Sequence, residues 1–137
     1  EFLASPFGAP CIPPPWGVLT DIDMRTGDNL WEGALGSTRD MAPFPVWLEL
    51  GVPNQGGPLT TASGLTFIAA TTDDYLRAFE TTTGRKLWQT RLPAGGQATP
   101  MTYRLREDGR QYVVIAAGGH GLLATTLGDS VVAYALP

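Results

Sequence analysis

The sequence predicts an all-β protein built from antiparallel, four-stranded units of the kind that β-propellers repeat around an axis. Its 17 Gly, 12 Pro and 16% charged residues favour short strands and turns over helices. Residues 57–92 divide into four such strands, and part of this unit also occurs 57 residues earlier. Because a four-stranded meander cannot cover both of its own faces, the pattern predicts propeller blades.

The chain before this unit has three parts. Residues 1–16 are a coil with five prolines, which fix φ and remove backbone donors. Residues 17–35 alternate apolar and polar side chains around a turn at Thr26-Gly27, and we expect the last two strands of one blade. Residues 36–57 form an irregular connection long enough to predict a functional or covering role.

Residues 57–92 are predicted to be one complete blade and residues 99–137 a partial closing blade. The complete blade has strands at 58–62, 65–71, 75–80 and 86–91, with turns at Ser63-Gly64, Asp73-Asp74 and Thr83-Gly84. The closing blade has strands at 101–104, 111–117 and 131–136, the last two joined by a glycine-rich loop.

An internal repeat supports this division. Residues 21–31 match residues 78–88, with identical residues at Thr26/Thr83, Gly27/Gly84, Leu30/Leu87 and Trp31/Trp88. The Gly allows a left-handed turn, and the Trp that follows can bury on the order of 200 Å² between adjacent blades. The alternative is two unrelated hairpins that share a Thr-Gly turn and a Trp by chance.

Half a blade, a whole blade and three quarters of another do not close a propeller, which needs at least about four blades. The sequence therefore predicts a piece of a larger protein. If it is isolated, we expect its unpaired strand edges to form an oligomer, exchange strands or pair with a complementary chain.

Composition excludes several classes of function. The net charge of −4 and the pI near 4.8 argue against a nucleic-acid partner, since no basic face is available for phosphates. Cys11 is the one cysteine, so an internal disulfide and a cysteine-rich metal site are excluded. The printed residues contain no apolar run of about 18 residues, the length that predicts a membrane span.

Several strings resemble a known family. The repeat resembles the tryptophan-docking motif of eight-bladed pyrroloquinoline quinone (PQQ) dehydrogenases, with Asp21 where that motif usually has Ala. Longer strings resemble the C-terminal end of membrane-bound quinoprotein glucose dehydrogenases and the related quinate/shikimate dehydrogenases. They are residues 8–17, 50–54, 91–103, 111–121 and 128–137. Residues 122–125, LLAT, depart from the turn usual in this family, which bears on substrate choice.

The resemblance implies a partial, about two-blade segment of an eight-bladed propeller from an oxidoreductase. Such an enzyme oxidises a sugar or cyclic polyol hydroxyl with PQQ as the hydride acceptor and passes electrons to ubiquinone. A Ca²⁺ or Mg²⁺ ion polarises the PQQ carbonyl as a Lewis acid. The catalytic Asp and the metal ligands belong to earlier blades, so we expect no catalytic or metal-binding residue here and no activity from the isolated fragment. The implied location is the periplasmic side of the bacterial inner membrane, with the anchor outside these residues.

Five residues are candidates for contact with PQQ. His120, the only histidine, lies in a Gly-Gly-His-Gly loop with Gly119, and its imidazole can bond a quinone oxygen or a carboxylate. Asp73 matches a family aspartate near the site, although turn chemistry explains it equally well. Asn54 and Gln55 lie in a connection that approaches the cofactor in related quinoproteins. The alternatives are a structural histidine and a glycine turn leading into a strand.

A non-enzymatic propeller scaffold for protein–protein interaction is the competing hypothesis, since such scaffolds share the docking-type repeat without binding PQQ. The strings at 91–103 and 111–121 favour the enzyme, because a scaffold has no reason to carry the Gly-Gly-His-Gly loop.

Overall fold

The computed structural model describes residues 5–6 and 10–135, and these residues form three antiparallel sheets. The first sheet pairs β1 (Val18–Ile22) with β2 (Asn29–Ala34). The second has the order β3 (Leu59–Thr60), β4 (Leu65–Ile68), β5 (Tyr75–Glu80) and β6 (Lys86–Arg91). The third has the order β7 (Met101–Arg104), β8 (Gln111–Ala117) and β9 (Ser130–Ala135). Short 3₁₀ helices occupy Thr38–Asp40 and Gly121–Leu123.

Strands β5 to β8 have the predicted bounds, whereas β3 and β4 are shorter than predicted. β3 ends early because Thr61 closes the turn, bonding Leu65 through both its backbone N–H and its hydroxyl. β4 ends at Ile68 because Ala70 adopts a left-handed conformation (φ 56°) and its N–H bonds Gly96 instead of a strand partner. The predicted end of β9 at residue 136 lies outside the described residues.

The repeated Thr-Gly turns have the expected chemistry. Gly27 and Gly84 have φ values of 81° and 69°, in the region that favours glycine. An acidic side chain holds each turn, since Asp23 accepts the backbone N–H of Arg25 at 2.9 Å and Glu80 accepts a hydroxyl hydrogen bond at 2.5 Å. These turns and the β3–β4 turn close one end of the sheets, which we call the turn end.

Strands β4 and β5 of the second sheet are largely buried because the other two sheets pack against its two faces, whereas β6 is mostly exposed. Along β5, Leu76 faces the third sheet, whereas Arg77 and Phe79 face the first. The first interface, between the first and second sheets, contains Leu19, Leu35, Ile68, Ala70 and Phe79. The second interface, between the second and third sheets, contains Ala69, Leu76, Leu92, Ala94, Ile115, Ala117, Val132 and Tyr134.

The long connections gather at the opposite end of the sheets, which we call the loop end. They are residues 35–58, 69–74, 92–100 and 118–129. Backbone hydrogen bonds join them to one another: Gln55 donates to Ala70, Ala70 donates to Gly96, and Gly119 donates to Gly95, at 2.8–2.9 Å. The loop end is therefore a continuous surface made by all three sheets.

Candidate functional site

All five predicted cofactor-contacting residues lie at the loop end. Asp73 is in the β4–β5 turn, and Asn54 and Gln55 are in the connection after the first sheet. Gly119 and His120 are in the β8–β9 connection. Asn54 forms an isolated bridge with residue 71, which brings the 35–58 connection against the β4–β5 turn. The five residues thus lie at one end of the sheets but come from three separate connections.

Asp73 is fully buried, and protein donors occupy both of its oxygens. Its Oδ2 accepts the backbone N–H and the hydroxyl of Ser37, each at 2.7 Å. Its Oδ1 accepts the Thr71 hydroxyl at 2.6 Å and Nη1 of Arg77 at 3.0 Å, while Arg77 Nη2 forms an ion pair with Oδ2. The carboxylate therefore clamps the β4–β5 turn of the second sheet to the connection that leaves the first.

The neighbours of Asp73 keep it ionised. Burial by itself would raise the pKa of this carboxyl, but hydrogen bonds from Arg77, Thr71 and Ser37, with the Arg77 charge, hold the pKa below its ordinary value. Arg77 was missed at the sequence level. Its signal is a charged residue in the middle of β5, where the neighbouring residues are apolar and buried.

Asp74, the next residue, differs from Asp73 in both its hydrogen bonding and the direction of its pKa shift. It is only 3% exposed, and its Oδ2 accepts the Thr126 hydroxyl at 2.8 Å. Its Oδ1 is buried and has no hydrogen-bond partner within the described part of the chain. Burial raises the pKa of Asp74; the Thr126 bond and the charge of Arg91, 4.0 Å from Oδ2, oppose this rise, and the charge of Asp40 adds to it. The turn thus places a satisfied carboxylate beside an incompletely satisfied one.

Among the residues that the structure describes, His120 carries the second buried side-chain atom without a hydrogen-bond partner. Its backbone N–H donates to Thr125 Oγ1 at 2.7 Å, and its carbonyl accepts the N–H of Leu123 at 3.2 Å. Its Nδ1 is buried and bonds no atom of residues 5–6 and 10–135. A buried imidazole nitrogen in this state has unused hydrogen-bonding capacity, which calls for a partner outside these residues.

The glycine before His120 has a packing explanation. Gly119 has φ +73°, and a Cβ on it would lie 2.2 Å from the carbonyl oxygen of Thr126. Any side chain there would displace the loop. Asn54 and Gln55 are exposed, so their side chains are accessible at the same end of the sheets.

Two further polar residues at the loop end, Gln97 and Thr125, were not predicted to contact the cofactor, although Thr125 belongs to the 122–125 segment that was linked to substrate choice. Gln97 Nε2 donates to the carbonyl of Thr71 at 3.0 Å, and Thr125 Oγ1 donates to Gln97 Oε1 at 3.2 Å. Gln97 lies in the 91–103 string that carried the family resemblance, which is the signal that could have found it.

The described residues do not bring three His, Cys, Asp or Glu side chains close enough together to hold a metal ion. They also contain no helix long and apolar enough to cross a membrane.

Antiparallel sheets that pack face against face, with short Thr-Gly turns at one end and polar connections at the other, define a β-propeller segment. Residues 1–113 match the family model "PQQ: Glucose/ethanol/alcohol dehydrogenase, beta-propeller domain". The chain belongs to this family of PQQ dehydrogenase propellers.

Curated relatives agree with this assignment. The quinoprotein glucose dehydrogenase of Escherichia coli (strain K12) is 53% identical over 97% of this chain and 17% of its own length. The quinate/shikimate dehydrogenase (quinone) of Acinetobacter baylyi is 46% identical over 96% of the chain and 17% of its own length. The chain thus spans about a sixth of these relatives.

Solved structures show the same architecture. The quinohemoprotein alcohol dehydrogenase from Comamonas testosteroni superposes with a TM-score of 0.57 at 28% identity, covering 85% of this chain and 16% of that one. A europium-containing methanol dehydrogenase gives a TM-score of 0.55 at 28% identity, covering 74% and 15%. The all-β propeller prediction is therefore confirmed.

The residues at the loop end fit a PQQ molecule in part. PQQ presents carboxylates and quinone oxygens, which need hydrogen-bond donors, and His120 Nδ1 is a buried nitrogen that can supply one. Asp73 fits less well as a direct ligand, because its oxygens are occupied by Ser37, Thr71 and Arg77.

Proposed function

We propose that this chain is part of a PQQ-dependent dehydrogenase that oxidises a hydroxyl of a sugar or cyclic polyol and delivers electrons to a quinone. The observation that carries the proposal is the unpartnered Nδ1 of His120, buried at the loop end of a propeller segment from the PQQ family. The relatives' names, glucose dehydrogenase and quinate/shikimate dehydrogenase (quinone), support the substrate class and the acceptor.

In this proposal the bound PQQ supplies the hydride acceptor. His120 donates a hydrogen bond to a PQQ oxygen through Nδ1, and Gly119 lets the loop come close. Asn54 and Gln55 contribute polar contacts from the neighbouring connection. Asp73 acts on the cofactor site through the loop it holds, because its oxygens already accept protein donors.

The same proposal covers the remaining blades of the enzyme, its metal ion, its electron acceptor and its location. Residues 17–35, 57–92 and 99–137 form half a blade, a complete blade and a partial closing blade, and the remaining blades of the same protein cover their outer faces. Those blades supply the catalytic Asp and the ligands of a Ca²⁺ or Mg²⁺ ion. Ubiquinone is the acceptor, and the protein acts at the periplasmic side of the inner membrane.

Reconstitution of the full-length protein tests this function. The purified apoprotein is mixed with PQQ and Ca²⁺ or Mg²⁺ and assayed with glucose, quinate and shikimate, using a ubiquinone analogue as acceptor. We expect PQQ-dependent turnover of at least one of them. Failure to bind PQQ and to oxidise any of them would contradict the proposal and favour the propeller scaffold.

His120→Ala tests the residue that carries the proposal. Because a hydrogen bond to a charged group contributes about 1.5–3 kcal/mol, its loss should weaken PQQ binding at least about tenfold. PQQ titration of the apoprotein, followed by fluorescence, measures this directly. His120→Gln, which keeps an N–H donor, is the matched control and should lose less. Equal PQQ affinity in wild type and His120→Ala would remove His120 from the site.

A further inference from the structure

A continuous set of hydrogen bonds joins the β4–β5 turn to the His120 loop across the second interface. The carbonyl of Thr71 accepts Gln97 Nε2 at 3.0 Å, and Gln97 Oε1 accepts the Thr125 hydroxyl at 3.2 Å. Thr125 Oγ1 then accepts the His120 N–H at 2.7 Å. We call these three contacts the Gln97 bridge. It joins three connections at the loop end that are far apart in sequence.

In the Gln97 bridge, each group has a fixed role as hydrogen-bond donor or acceptor. The hydroxyl of Thr125 has one hydrogen, which goes to Gln97 Oε1 and leaves a lone pair for the His120 N–H. Because the Thr71 carbonyl can only accept, Gln97 presents its NH₂ group to that carbonyl and its oxygen to Thr125. A Glu at position 97 would bring a second acceptor against that carbonyl and lose the bond.

The surrounding backbone is shaped to admit the bridge. A Cβ on Gly95 would lie 2.4 Å from both Gln97 Oε1 and Thr125 Oγ1, so a side chain there would break the contact. Thr125 is only 7% exposed, which shields its bonds from competing water. The backbone bond from Gly119 to Gly95 runs alongside at 2.8 Å.

The position of His120 depends on the hydrogen bonds of the Gln97 bridge. Its Nδ1 has no partner within the described residues, so no side-chain hydrogen bond through that nitrogen fixes the imidazole. The position of its backbone depends on Thr125, which accepts the His120 N–H and whose own N–H donates to the His120 carbonyl at 3.4 Å.

We propose that Gln97 and Thr125 are positioning residues that hold the His120 imidazole in place for PQQ through the Gln97 bridge. The inference rests on the proposed function, because it assigns the bridge to the same cofactor site. Neither side chain needs to touch PQQ. A preorganised donor loses less conformational freedom when the cofactor binds, so loss of the bridge should weaken binding.

The test uses the full-length apoprotein and a pair of matched variants. Thr125→Val keeps the shape of the side chain but removes the hydroxyl, whereas Thr125→Ser keeps the hydroxyl. PQQ titration followed by fluorescence should show affinity about five- to tenfold weaker for Thr125→Val, as expected for one lost hydrogen bond, and within about twofold of wild type for Thr125→Ser. Gln97→Glu, which loses the bond to Thr71, should resemble Thr125→Val.

The melting temperature of each apoprotein separates positioning from general stability. A purely structural role would lower the melting temperature and leave the PQQ affinity of the folded protein unchanged. PQQ affinities of Thr125→Val and Gln97→Glu within twofold of wild type would overturn the inference. If Thr125→Val does not fold, Gln97→Glu decides alone. Wild-type protein that binds no PQQ would overturn the proposed function as well, so the two failures are distinguishable.

Discussion

The two interfaces of the second sheet are built from different interactions. At the first interface, a buried ion pair between Asp73 and Arg77 and the bonds to Ser37 supplement a small apolar cluster. The second interface is a larger apolar cluster around Leu76 and Ile115, crossed at the loop end by neutral hydrogen bonds. A propeller can thus join successive blades through different chemistry while the backbone pattern of each blade stays the same.

The two repeated tryptophans, Trp31 and Trp88, also make different contacts. Trp31 lies against the Thr-Gly turn of the second sheet: its Nε1 donates to the carbonyl of Thr81 at 2.8 Å, and a Cβ on Gly84 would lie 2.5 Å from its ring. Trp88 faces the third sheet, makes an edge contact with Tyr134 at 5.4 Å and is 40% exposed. One sequence motif therefore produces a docked ring only where a neighbouring turn is present to receive it.

Asp73 and Asp74, which are neighbours in one turn, contribute to stability with opposite dependence on pH. The lowered pKa of Asp73 contributes stability that is present above its unfolded pKa and is lost as the pH falls through the folded value. The raised pKa of Asp74 has the opposite sign: its contribution is present at low pH and is lost as the pH rises through the folded value.

The largest expected effect comes from breaking the ion pair at the first interface. Arg77→Met leaves the Asp73 carboxylate buried without its cation, which typically costs about 3–5 kcal/mol. Chemical denaturation of the full-length protein measures the change in the free energy of unfolding. Arg85→Met is the matched control, because Arg85 pairs with Glu80 at the exposed turn end, and it should cost less than about 1 kcal/mol. Equal costs would show that the buried pair has no special role.

Removal of the docked ring should have the next largest effect. Trp31→Ala loses the ring contact with the Thr81–Gly84 turn and should cost about 3 kcal/mol, near the lower end for a large aromatic side chain, because Trp31 is only partly buried. Trp31→Phe keeps most of the ring and loses the hydrogen bond, so about 1 kcal/mol is expected. Thermal unfolding of the full-length variants provides the measurement. A Trp31→Ala protein as stable as wild type would contradict the docking role.

Trp88→Ala tests whether the rest of the protein completes the third sheet. If a further strand and its turn cover the ring, as a closed propeller requires, the substitution should cost about as much as Trp31→Ala, again about 3 kcal/mol. The same unfolding experiment compares the two. A cost of about 1 kcal/mol or less, typical of a ring that stays 40% exposed, would contradict the presence of such a strand.

Asp74→Asn should produce the smallest effect, and a favourable one. Asn keeps an acceptor for the Thr126 hydroxyl but removes a charge that burial disfavours, so stability at pH 7 should rise by roughly 0.5–1 kcal/mol. The gain should disappear below the ordinary pKa of 3.8, where Asp74 is neutral in both states. Melting temperatures at pH 4 to 8 test the sign. Asp73→Asn, as the contrasting variant, should destabilise across this range.

Much of the fold was predictable because its signals are local. Alternation of side chains predicted β5 to β8, and the spacing of Thr83-Gly84 and Trp88 predicted the turns and the repeat. β4 was predicted to run to residue 71 because its residues are apolar or β-branched. Its actual end depends on the bond from Ala70 to Gly96, which joins two connections.

For the candidate site, the sequence by itself determined that His120 lies in a glycine-rich loop and that two acidic residues share the β4–β5 turn. Only the tertiary structure decided that Arg77 and Ser37 occupy the oxygens of Asp73, that Asp74 and His120 keep unpartnered atoms, and that Gln97 meets Thr125. The physical reason is that hydrogen bonding and burial depend on the donors that packing brings to each group, and these come from connections distant in the chain.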